Sequence, residues 1–134
     1  MPGRRGWRGG RGAGRPFAGG AVRRFLEPVL LLLLHQGAGH GYELVNALEP
    51  FGLGDMASGP VYRTLRQLEA AGLVRSEWDT QSAGGPARRV YRLTQAGHQY
   101  LADWVTYLRE THDMIGHFLE AYDRHMQEGE GDYH

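Results

Sequence analysis

Forty residues in the middle of the chain, SGPVYRTLRQLEAAGLVRSEWDTQSAGGPARRVYRLTQAG from Ser58 to Gly97, constrain the fold more than any other stretch. Val61, Leu65 and Leu68 recur at helical spacing, so the first third of this span is an amphipathic helix. Ser58 is the candidate N-cap, with Gly59 and Pro60 in a first turn where a missing N–H costs little. Gly72 is placed to end that helix as a left-handed residue. Leu73 to Trp78 and Arg88 to Leu93 then alternate with period two, which predicts a hairpin around a loop at 79–87. Thr94 is positioned to cap a further helix.

The rest of the chain fits one small domain around this span. Its 134 residues are 41% hydrophobic, enough for one core. From Arg23 to about Gln36 the pattern is helical, with Leu26, Leu30 and Leu33 on one stripe and Pro28 near the start. Val29 to Leu34 is apolar all round, which suggests a central core helix or one buried by a second chain. The run is too short to cross a bilayer. Arg23-Arg24-Phe25-Leu26 superficially matches a twin-arginine export signal, but Glu27 and Pro28 interrupt it, and a first core helix is the better reading. Glycines at 37, 39 and 41 break that helix, and Tyr42 to Glu49 reads as a short second one.

A zero net charge conceals strong segregation. Residues 1–24 hold seven arginines and no acid, 25–98 six arginines and seven acids, and 99–134 two arginines and eight acids. The first twenty residues are rich in glycine and arginine with only Trp7 and Phe17 as apolar anchors, and they read as a disordered cationic arm. The absence of cysteine rules out disulfides, thiolate metal sites and cysteine nucleophiles, and fits a reducing cytoplasm.

Three helices, a strand, a glycine loop and a second strand in this order describe a winged helix-turn-helix. The fold class is therefore mainly α with a small β-hairpin wing and a long C-terminal helix. The expected divisions are an arm over 1–20, the winged domain over 21–97, a dimerisation helix over 98–126 and an acidic tail over 127–134. On the third helix, Tyr62, Arg63, Arg66 and Gln67 lie opposite the apolar stripe. Arginine can pair bidentately with guanine and glutamine with adenine, so such a face suits a major groove. An ordinary solvated helix face is the alternative. Arg88 and Arg89, beside the glycine loop, are candidates for phosphate contacts that set register without reading sequence. Arg92 or Arg75 is instead placed to pair with Glu77 or Glu69, most plainly for Arg92.

On the last helix, Leu101, Leu108, Ile115 and Tyr122 recur every seven residues. Trp104, Val105, Phe118 and Leu119 fall between them, and Thr111 and His112 interrupt the seam once. Packing against the first helix is one way to cover this stripe; a second chain is the more economical, making the protein a homodimer. Two-fold symmetry would suit a pseudo-palindromic duplex with half-sites about one helical turn apart. Phe25, Trp104 and Leu108 are candidates for a cavity holding a small aromatic or hydrophobic effector, with plain core packing as the alternative. His112 and His117 are five apart and diverge, so no metal site, cofactor or catalytic constellation is expected.

Three motifs resemble the PadR-type transcriptional regulators. They are His40-Gly41-Tyr42-Glu43-Leu44; Gly59 to Leu65 followed by Leu68-Glu69-Ala70-Ala71-Gly72-Leu73-Val74; and Arg89-Val90-Tyr91-Arg92-Leu93-Thr94-Gln95-Ala96-Gly97. The motifs lie between residues 40 and 97, and the resemblance covers about residues 23–125. The resemblance implies a dimeric repressor, with Ser58, Gly59, Tyr62, Arg63 and Arg89 near DNA; Tyr42, within the first motif, joins the DNA-facing set. Pro60 departs from the family pattern, which commonly has a small hydroxyl residue there, and the cationic arm lies outside it. Two other readings stay open: a general nucleic-acid or RNA-binding protein led by its arm, and a winged-helix protein-interaction module.

Overall fold

The computed structural model describes residues 18–37, 39–79 and 87–129, with side chains from residue 24 onward. The elements are α1 (Ala18–Gln36), β1 (Gly39–His40), α2 (Gly41–Asn46), a 3-10 turn (Glu49–Phe51), α3 (Ser58–Ala70), β2 (Val74–Asp79), β3 (Arg88–Leu93) and α4 (Gln95–Gly129). Backbone contacts divide the chain into two compact units, Met1–His98 and Gln99–His134.

The first unit is the winged helix-turn-helix. Its core gathers Leu26, Val29, Leu30, Leu31 and Leu34 from α1, Leu44 from α2, and Val61, Leu65 and Leu68 from α3. Val74 and Tyr91 close it from the sheet. The run Val29 to Leu34 is thus largely core, although Leu32 stays exposed and Leu33 is half-buried. Burial pushes the Tyr91 phenol above its ordinary value of 10.0, keeping it neutral.

Turn chemistry sets the ends of α3. Gly72 takes a left-handed φ of 80°. Its N–H reaches the Glu69 carbonyl and the Leu73 N–H reaches the Leu68 carbonyl, both at 3.0 Å. A side chain other than glycine is strained in this conformation, which is why the helix stops here. At the other end the expectation is corrected. The N-cap is Ala57, in extended conformation and without a side-chain cap, and Ser58 is already the first helical residue. Gly59 and Pro60 do lie in the first turn. Thr94 caps α4 as expected, accepting the Gly97 N–H at 3.0 Å, and its hydroxyl donates to the Gly72 carbonyl at 2.7 Å.

Other boundaries also differ from the sequence expectation. Helix α2 covers Gly41–Asn46 and stops short of Glu49, which opens the 3-10 turn instead. Helix α1 begins at Ala18, so Pro28 sits in the helix interior and 18–20 are helical; residues 1–17 of the expected arm lie outside the described residues. The hairpin has a third partner, since β1 pairs antiparallel with β3 through Gly39↔Tyr91 and His40↔Val90, giving the order β1-β3-β2. Helix α4 runs to Gly129, past the expected end, and 130–134 lie outside the described residues, as do Ala38 and 80–86 of the wing loop.

Candidate nucleic-acid interface

Helix α3 separates its two faces as the spacing requires. Val61, Leu65 and Leu68 are buried, while Arg63, Arg66 and Gln67 are exposed. Ser58 and Gly59 are exposed at its start. Tyr62 is half-buried, because its ring lies against the backbone of Gly41 so closely that a Cβ there would run into it. Gly41 therefore sets how near α2 can come to α3, which is the relation a helix-turn-helix depends on.

The wing strands are in register from Val74↔Leu93 to Asp79↔Arg88. Alternation sends Arg88 and Arg89 to opposite faces, and each has an aromatic partner. The Arg88 guanidinium lies 4.7 Å from the centre of the Tyr42 ring and donates to the Tyr42 hydroxyl at 2.8 Å. The Arg89 guanidinium lies 4.5 Å from the centre of the Trp78 ring and donates to Ser76 Oγ at 2.9 Å. Both arginines remain exposed. Arg92 pairs with Glu77 at 3.5 Å, as its position in the sequence suggested.

His40 ties the second helix to the wing. Its Nδ1 lies 3.2 Å from Glu43 Oε1 and its Nε2 lies 3.2 Å from Asp79 Oδ2. The Glu43 carboxylate also accepts the His40 backbone N–H at 3.0 Å. That backbone hydrogen bond, followed by the one from the His40 ring, lowers the Glu43 pKa below its ordinary 4.5. His40 and Tyr42 stack with ring centres 6.2 Å apart, so α2, β1 and the wing base form one connected polar edge. Ser76 in turn donates to Glu69 Oε2 at 2.9 Å. Sequence reasoning missed His40, Asp79, Ser76, Trp78 and Glu69 in these roles. The capping-box spacing of His40 and Glu43 was the available signal for the first; the others meet only once the strands pair.

The second unit is the helix from Gln99 onward. Val105, Ile115, Phe118, Leu119 and Tyr122 of the expected seam are exposed, together with Tyr107, Met114 and Met126. Leu101 is buried, and Trp104 and Leu108 are half-buried. Phe25, the third residue of the expected effector site, belongs to the other unit and is exposed. Among the described residues no three His, Asp or Glu side chains are grouped to hold a metal ion, and no helix is long and apolar enough to cross a membrane.

Fold and site together define a winged helix-turn-helix protein with a long C-terminal helix. Residues 29–103 match the model of the transcriptional regulator PadR-like family, and the chain belongs to that family. Transcriptional regulator Rv3488 of Mycobacterium tuberculosis is 39% identical over 92 residues, covering 66% of this chain and 77% of the relative. Among solved structures, TM0937, a conserved protein described as a potential transcriptional factor, superposes with a TM-score of 0.69 at 35% identity. That match covers 86% of this chain and 98% of the other. Bacillus subtilis PadR, solved in complex with operator DNA, matches with a TM-score of 0.53 at 27% identity, over 61% of this chain and 46% of PadR. The family and Rv3488 are transcriptional regulators rather than enzymes.

Proposed function

We propose that this chain is a sequence-specific, duplex-DNA-binding repressor that acts as a homodimer in the cytoplasm and is modulated by a small aromatic or hydrophobic effector. The observation that carries the DNA reading is the division of α3, with Val61, Leu65 and Leu68 buried beneath exposed Arg63, Arg66 and Gln67. Bacillus subtilis PadR, a relative, was solved on operator DNA, which supports the same class of partner. In this reading Arg66 and Gln67 face base edges, whereas Ser58, Gly59, Tyr62, Arg63, Tyr42, Arg88 and Arg89 lie along the backbone or at the groove edge.

The exposed apolar face of α4 supports the homodimer. Phe118, at 65% exposure, and its neighbours Ile115, Leu119 and Tyr122 leave a patch that a second copy of the same helix would cover. Dimerisation would present two α3 helices to two half-sites. An effector would act by binding one dimer geometry more tightly than the other. Trp104 and Leu108, both half-buried on α4, remain the proposed contacts for it.

Selection from a random duplex pool with the full-length protein tests this function. Recovery of an inverted repeat is expected. Enrichment of duplexes without a common motif would contradict sequence-specific regulation and favour general binding through the arginine-rich arm.

A further inference from the structure

Arg89 is held in place by a chain of contacts that ends on the DNA-reading helix. The strand register sets Trp78 directly opposite Arg89. One hydrogen bond runs from Arg89 Nη1 to Ser76 Oγ at 2.9 Å, and the Ser76 hydroxyl donates to Glu69 Oε2 on the last turn of α3, also at 2.9 Å. A serine hydroxyl has one hydrogen to give and lone pairs to accept with, so it serves both partners at once. The guanidinium therefore has its position fixed from below by the indole and from one edge by a hydroxyl anchored to the recognition helix. Ser76 takes one of its five N–H groups, and among the described residues no other hydrogen bond engages the rest, which a phosphate could take.

Trp78 itself is 58% exposed, although it is one of the largest apolar side chains in the unit. It is not one of the buried core residues, which on this sheet are Val74 and Tyr91. We propose that Trp78 is a positioning residue for DNA binding: with Ser76 and Glu69 it presets the Arg89 guanidinium against the duplex backbone, coupling the wing to α3. This inference rests on the reading of the wing as a phosphate-contacting element. Its energetic basis is the cation–π contact and the rotamer freedom that Arg89 has already lost before DNA arrives.

The test uses the full chain and a fluorescein-labelled duplex of arbitrary sequence at low salt, because a backbone contact needs no operator. Wild type, R89A, W78L, W78F, S76A and the double variant W78L/R89A are compared by anisotropy, with circular dichroism and melting to verify that each is folded. Loss of the indole face is expected to weaken binding about two- to fivefold, the range for an exposed cation–π contact. W78F, which keeps an aromatic face, should stay close to wild type. S76A should fall between wild type and W78L. The double variant should bind no worse than R89A alone, since Trp78 has nothing left to position. Wild-type affinity in W78L, or losses that multiply in the double variant, would overturn the inference while leaving the wing reading intact. An unchanged R89A would overturn the wing reading and the inference with it.

Discussion

Replacing Gly97 by alanine is expected to destabilise the protein, and the same replacement at Gly116 on the same helix is expected to stabilise it. Both glycines lie within α4, where alanine is intrinsically better by about 0.5–1 kcal/mol. Among the described residues of the chain nothing lies within 4 Å of a Cβ added at Gly116, so that gain should appear unopposed. At Gly97 the added Cβ would run into the carbonyl oxygen of Leu73, and the Leu93 side chain is 3.0 Å away. The carbonyl cannot yield easily, because it accepts the Thr94 N–H at 3.1 Å and so joins β2 to the start of α4. Overpacking against a backbone atom belongs at the upper end of the usual range of about 1–3 kcal/mol, which leaves a net loss of roughly 2 kcal/mol. For a chain of this size that corresponds to a melting temperature lower by about 5–12 °C. Thermal melts followed by circular dichroism at fixed protein concentration measure it. Equal shifts of the same sign in the two variants would refute the packing argument and leave only helix propensity.

Three further outcomes follow from the geometry. Phe118→Glu is expected to convert the protein to monomer in sedimentation experiments without unfolding it; an unchanged dimer would move the interface off this face. Glu43 has a depressed pKa, so it contributes stability that is present above its ordinary 4.5 and is lost as pH falls through the lower folded value. E43Q should therefore flatten the acid limb of a stability–pH curve, modestly because the carboxylate is exposed, and an identical limb in both proteins would contradict the assignment. Removing residues 1–17, which carry five arginines, should lower the salt dependence of DNA binding while keeping sequence preference; loss of all binding would point to the arm as the principal nucleic-acid element.

The parts of the fold that were legible in the sequence are those governed by local chemistry. The period of Val61, Leu65 and Leu68, the left-handed turn at Gly72, the Thr94 cap and the alternation of the wing strands each follow from residues close together in the chain. Elements without such a signal were not. Strand β1 is only Gly39 and His40, too short to alternate, and it exists because β3 offers it a free edge. Gly19 and Gly20 argued against a helix that nonetheless begins at Ala18. Ser58 looked like a cap, yet the chain is still extended at Ala57 and turns helical one residue early. For the interface, composition and periodicity singled out the exposed residues of α3 and the wing arginines. Their partners could not be read, because Tyr42 meets Arg88 across 46 residues and His40 meets Asp79 across 39. Only the pairing of β3 with its two neighbours brings those groups together.

The central claim is that α3 reads bases while the wing holds the backbone. Its most direct test is the affinity of wild type, R66A and R89A for a selected operator and for a random duplex of equal length. On this account R66A loses about 1–3 kcal/mol on the operator and little on random DNA, whereas R89A loses the same amount on both. Equal losses on the two duplexes for both variants would contradict it.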